Sequence, residues 1–381
     1  MAKQARRKNR RRESRLLLLR RNRPSARNRR VPSHPTEQSQ ETEGYPALLN
    51  LSAQPHWTVF VSDFALPSHD VRRLKRQLEN VPTRALFVRL DRGLNELNRT
   101  LRSASINLRD DYISFQALTF QHSNSLQVTR LLGSPRRDLA KLELPLPESR
   151  FLPSHASHLL RIVMKADYRE QELIAHRFFD LLSRRKPYTV KAETADGTLL
   201  VNDERPWYDF SGRLREGEMR ILPAGEVSYA GNHVEGDFTV DGAILPFPEH
   251  PELAAYASRL GRLSRTMRRR PLQLKIRRGE VIDVGDKGDA PRAFRRLFEK
   301  DERYRRVVEV GISFNSASRR FIHSWPAASN EVHPGVHLGI GGDPSRNDDG
   351  YERAARLIHI DLIAVNCRVD VNGHGFLRFH S

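Results

Sequence analysis

The sequence predicts an α/β protein, with an N-terminal α/β domain whose helices lie on a sheet and a β-rich α+β C-terminal domain after it. Two observations carry this. Before residue 145, short apolar runs alternate with stretches of helical spacing, the pattern of helices laid on a sheet. After Arg185 the texture changes to short strands separated by tight turns.

In the first half, His56 to Phe64 (HWTVFVSDF) alternates as a strand does. His69 to Asn80 places Val71, Leu74 and Leu78 on one side of a helix. Ala85 to Leu90 is a compact apolar strand and Leu94 to Arg102 is helical again, with Tyr112 to Thr119 and Leu139 to Leu144 as further strands. Pro153 to Arg184 holds the longest helical signal, with Leu159, Ile162 and Val163, then Leu173, Ile174, Phe178, Leu181 and Leu182, interrupted near Asp167. Those residues are core. No Gly-rich dinucleotide fingerprint follows any strand, so no nucleotide cofactor is implied.

In the second half, Tyr188 to Thr194, the turn Asp196-Gly197 and Leu199 to Asn202 form a hairpin. Met219 to Leu222, Phe238 to Leu245 around Asp241-Gly242, Leu272 to Arg277 and Val281 to Val284 continue the strands, and Glu252 to Met267 is helical. Arg268 to Arg270, Arg277 and Arg278 read as a solvated face. The boundary falls near Arg184 to Lys186, giving domains over 44–185 and 186–381.

The net charge of +19 suggests a nucleic-acid partner until it is divided. The first thirty residues hold fourteen Lys or Arg and one acid, whereas the other 351 carry only +6. Residues 1–43 therefore read as a disordered basic tail, able at most to touch nucleic acid non-specifically. Leu16 to Leu19 is too short for a membrane span or a signal-peptide core, so the expected location is the cytoplasm. Cys367 is the only cysteine, which excludes an intrachain disulfide and a multi-cysteine zinc site, and it reads as a buried strand residue.

Function concentrates in Asn330 to Asp361, which opens NEVHPGVHLGIGGD and ends HID. Strand alternation puts His359 and Asp361 on one face and Ile358, Ile360 and Leu362 on the other. His337 likewise opposes Val336, Leu338 and Ile340, beside Gly339 and Gly341, where something can approach the backbone closely. Upstream, Glu226 follows the turn Pro223-Ala224-Gly225, and Glu309 lies in RRVVEVGISFN with Val308 and Val310 on the opposite face. Five such ligands at strand edges can hold one or two divalent ions. His233, His323 and His333 are nearby in sequence and are candidates to line a pocket.

The order ADGTLLV, ILPAGEV, VDGAI, VVEVGISFN, NEVHPGVHLGIGGD, HID resembles the metal-dependent leucyl aminopeptidases of the thermophilic aminopeptidase T and S type, from about Tyr188 to Gly373. That resemblance implies a homodimeric metalloprotease acting on a peptide or small-molecule substrate, with Glu226, Glu309, His337, His359 and Asp361 binding two Zn, Co or Mn ions. Glu226 or Asp361 would bridge the ions, His337 and His359 would cap one each, and Glu226 and Glu309 are the candidate catalytic carboxylates. The chain departs from the family at Pro344, seven residues after His337, where the peptidases carry a tyrosine. Tyr351 and Tyr229 are the candidate substitutes.

The same region is similar to 2,5-dihydroxypyridine dioxygenase, which has a histidine at the position of Glu309. On that comparison the alternative is a mononuclear non-haem Fe(II) dioxygenase or other tailoring enzyme using His337, His359 and Asp361. A non-catalytic binding protein on the same fold is the third reading.

Overall fold

The alternation in the first half produces a parallel sheet. The computed structural model describes residues 57–62, 68–79, 84–89, 94–106, 113–119, 137–143, 153–213, 219–244, 262–285, 287–321, 328–342 and 359–380. All belong to one compact unit of the chain, Thr42–Ser381. The tail expected over 1–43, and His323, Pro344 and Tyr351, lie outside the described residues, as do the outer ends of several expected elements.

Strands β1 (Trp57–Ser62), β2 (Arg84–Arg89), β3 (Ile113–Thr119) and β4 (Arg137–Glu143) are parallel, in the order β2-β1-β3-β4. Parallel neighbours need crossovers, supplied between β1 and β2 by α1 (Ser68–Leu78) and between β2 and β3 by α2 (Leu94–Ser103). Val59, Phe60 and Val61 are all buried, which is why β1 reads as a continuous apolar run. The fifth strand, β8 (Met219–Leu222), comes from beyond Arg185 and pairs parallel with β4. The chain therefore returns once to the first sheet, between β7 (Trp207–Phe210) and β9 (Glu226–Ala230) of the antiparallel half.

Two helices, α3 (Pro153–Lys165) and α4 (Tyr168–Leu182), fill the longest helical signal. They separate at Asp167 because its side chain caps α4, accepting from the Glu170 amide at 2.8 Å. Ala175, Phe178 and Leu181 of α4 are buried against the antiparallel half.

That half has two sheets. The seven-stranded sheet runs β13-β12-β10-β6-β5-β17-β18, built from β5 (Tyr188–Thr194), β6 (Gly197–Asp203), β10 (Val234–Val240), β12 (Leu272–Arg277), β13 (Glu280–Val284), β17 (Arg368–Val371) and β18 (His374–Arg378). The six-stranded sheet runs β11-β16-β15-β14-β9-β7, built from β7 (Trp207–Phe210), β9 (Glu226–Ala230), β11 (Gly242–Ile244), β14 (Val307–Ser313), β15 (Gly335–Gly341) and β16 (His359–Ala364). Alternate residues of both sheets, such as Val190, Leu274, Val310 and Leu338, join one apolar core with α4 and α5 (Asp289–Lys300).

Several expectations change. Phe238 to Leu245 is two strands, since the chain leaves the seven-stranded sheet after Val240 and enters the six-stranded one at Gly242, with Asp241 as the corner. Of the expected helix Glu252 to Met267 only 262–267 falls among the described residues; those are helical, and the helix continues to 269. Cys367 is buried but lies between β16 and β17 and not in a strand. Among the described residues no helix is long and apolar enough to cross a membrane.

Candidate metal centre

Four neighbouring strands of the six-stranded sheet carry the five expected ligands, and all five project from the face opposite the core. Glu309, Gly339 and Asp361 are directly paired across β14, β15 and β16. His337 pairs with Gly311, and Glu226, the first residue of β9, pairs with Ser313.

Glu309 reaches this face through a β-bulge. Val307 pairs with Ile340 and Glu309 with Gly339, so Val308 is an extra residue without a partner. Strict alternation would put Val307 and Glu309 on one face. The bulge sends Val307 into the core, where it is 1% exposed, and leaves Glu309 on the other side. It is thus Val307 and Val310 that oppose Glu309, and not Val308 and Val310.

Glycines make room for the two imidazoles. A Cβ on Gly311 would lie 2.1 Å from Cε1 and Nε2 of His337 and 2.6 Å from Oε1 of Glu226. One on Gly339 would lie 2.5 Å from Cε1 of His359 and 2.9 Å from Cβ of Glu309. Each ring lies across a neighbouring strand where only hydrogen is tolerated.

The hydrogen bonds fix which ring nitrogen faces the carboxylates. His359 Nδ1 donates to the Gly342 carbonyl at 2.7 Å, leaving Nε2 towards Asp361 Oδ1 at 2.9 Å and Glu309 Oε2 at 3.4 Å. Ser313 Oγ gives its proton to the Glu331 carbonyl, so it accepts from His337 Nδ1 at a long 3.5 Å. His337 Nε2 is consequently aimed at Glu226 Oε1, 3.4 Å away, yet the pair lacks hydrogen-bond geometry and Nε2 is buried without a partner. A buried nitrogen facing a buried carboxylate is an arrangement that a cation held by both could satisfy.

Charge in the cluster points the same way. Burial, with Glu309 and Asp361 nearby, holds the Glu226 carboxyl above its usual range against the opposing pull of His337. Burial alone would lower His337, but Glu226, then Asp361 and Glu309, outweigh it and raise the imidazole to about 10. His359 is likewise raised, burial being outweighed by Asp361 and then Glu309. The Asp361 carboxyl is lowered, because His359 and His337 overcome its burial. Protonated imidazoles here compensate an excess of negative charge that a metal ion can compensate instead.

Two groups of side chains have ligand atoms within 4.8 Å of one another and can hold an ion: Glu226, Glu309 and His337, and Glu309, His359 and Asp361. Glu309 belongs to both. The set His337, His359 and Asp361 does not form one such group among the described residues; each imidazole is grouped with Glu309 instead.

A fourth carboxylate was not foreseen. Glu331 ends the short helix α6 (Ala328–Glu331), and its carboxyl is pushed far above the usual range by burial and by Glu226 and Asp361. Of the other candidates, Tyr229 sits in the core and donates its hydroxyl to Asp203, so it cannot replace the missing tyrosine. His233 is exposed and its Nδ1 is 3.9 Å from Asp203 Oδ1, away from the cluster. His333 bonds the Ser318 carbonyl through Nδ1 at 2.7 Å and lines a separate cavity. The chain matches no protein-family model and no curated protein.

Proposed function

We propose that the protein is a metal-dependent hydrolase that cleaves a peptide or amide bond, with Glu226, Glu309 and His337 holding one divalent ion and Glu309, His359 and Asp361 a second. The observation that carries this reading is the pair of ligand groups joined at Glu309. On this reading Glu309 takes the shared position, where the resemblance assigned Glu226 or Asp361. Two such ions would supply an acidic water and polarise a scissile carbonyl.

The side chains divide the remaining work. Glu226 and Asp361 are 7% and 5% exposed and serve to hold charge, while Glu309, at 26%, is the carboxylate open to a substrate and to proton transfer. His337 and His359 present Nε2 because Ser313 and Gly342 occupy Nδ1.

Each ligand group has one imidazole and two carboxylates, which favours hydrolysis over the two-histidine iron site of a dioxygenase. The ions are Zn, Co or Mn on this reading, and Fe(II) on the alternative. The same reading takes 44–185 and 186–381 as two domains of a cytoplasmic homodimer. The exposed Tyr208 and Phe210 on edge strand β7 support a second copy.

Elemental analysis of freshly purified protein is expected to find about two ions per chain. Glu309→Ala should cut hydrolysis of aminoacyl amides by roughly a hundredfold or more. A single iron, with oxygen consumed on a dihydroxylated ring, would favour the dioxygenase instead. No metal, and function indifferent to Asp361→Ala, would leave a binding protein.

A further inference from the structure

A cavity of about 750 Å³ opens where the ligand-bearing strands end. Its walls come from the segment after β14 (Ser316 to Phe321), the residues before β15 (His333 and Pro334), the residues after β16 (Val365 and Asn366) and the corner at Asp241. No ligand residue lines the cavity, although Glu226 pairs with Ser313 at the same end of the sheet.

Its chemistry is one-sided. Arg319 and Arg320 enter from one segment and Arg268 from the helical stretch 262–269, so three permanent cations converge from two places in the chain. All three are exposed, and among the described residues none forms a salt bridge. The one carboxylate in the lining, Asp241, is tied into the cavity wall: its Oδ2 accepts from the Val365 amide at 3.0 Å. Phe321 supplies an apolar wall, held in place against Gly242, where a Cβ would come within 2.7 Å of its ring, and edge-on to His333 with ring centroids 5.8 Å apart. Pro334 and Val365 extend that wall.

We infer that this cavity is a binding site for an organic phosphate. Guanidinium groups match phosphate oxygens as paired donors, and three of them against one committed carboxylate suit a ligand with at least two negative charges. The volume fits a nucleotide-sized molecule, and the Phe321 wall gives its uncharged body a surface. Arg268, which in the sequence reads as part of a solvated face, has a ligand to meet. The inference stands on the cavity and not on the metal reading.

The test is binding to the full-length protein, measured by calorimetry with inorganic pyrophosphate, ADP, adenosine and citrate. The basic tail and any bound metal also attract anions, so wild type is compared with Arg319→Ala/Arg320→Ala, in which both are unchanged. Pyrophosphate and ADP should bind wild type, and the double variant should bind them roughly tenfold or more weakly. Adenosine should not bind detectably. Arg268→Ala, on a different segment, should weaken ADP in the same direction. Equal affinities in wild type and both variants would overturn the inference, and so would citrate binding as tightly as pyrophosphate through the same arginines.

Discussion

Gly311 and Gly339 set the tolerance of the candidate metal centre more sharply than any proposed ligand, because each occupies the space beneath an imidazole. Gly311→Ala places a methyl group where the His337 ring lies. The ring and the Glu226 carboxylate must both move, and metal affinity should fall roughly 10- to 100-fold while the fold persists. Metal titration of the variant, with circular dichroism as the control for folding, measures this. His337 also gives the metal-free protein a pH signature. Its imidazole is held at about 10 against an ordinary 6.5, so its stabilising contribution is complete below about pH 6.5 and is lost as the pH rises through about 10. An ion replaces that proton, so urea unfolding with and without chelator should show alkaline loss mainly in the metal-free sample. At this scale the sequence was most legible. Strand alternation alone grouped His359 with Asp361 and separated His337 from Val336 and Leu338. It missed Glu331, whose neighbours Asn330 and Val332 give no alternation and whose partners lie on other strands.

At the scale of elements, the turn before β9 decides where Glu226 begins. The Asn315 side chain donates to the Ala224 carbonyl at 2.6 Å, and Gln171 of α4 donates to the same oxygen at 3.3 Å. Gly225 has φ +127, and a Cβ there would meet Asn315 at 2.8 Å, so the turn is pressed against these two side chains. Asn315→Ala strands a buried carbonyl with its weaker donor alone. It should cost about 1–3 kcal/mol of stability and lower metal occupancy, read from thermal unfolding and elemental analysis of one preparation. The bulge at Val308 was hidden from the sequence for a physical reason. VVEVG satisfies perfect alternation, and nothing local says that Ile340 and Gly339 of a distant strand must meet residues two apart. Helices α3 and α4 were legible because their apolar spacing is local and their break at Asp167 is a capping residue.

At the scale of the molecule, charge and chemistry separate along the chain. Fourteen of the basic residues precede residue 31, whereas every candidate ligand lies beyond residue 225. Deleting residues 1–43 should leave metal content and melting temperature unchanged and weaken salt-sensitive retention on a polyanion column. The change from parallel to antiparallel pairing was legible near Arg185, since period and turn spacing are written locally. The return of β8 to the first sheet was not. Four residues, MRIL, carry no mark of which sheet they will join.

That returning strand ties the order of synthesis to the order of folding. A nascent chain stopped near Arg185 exposes the whole edge of β4, and its backbone amides and carbonyls have nothing to pair with until the ribosome has delivered residues 219–222. A gene cut at the apparent boundary would yield a sticky half-sheet. The two halves should be rescued by co-expression only when the downstream fragment supplies its stretch of β8 in trans.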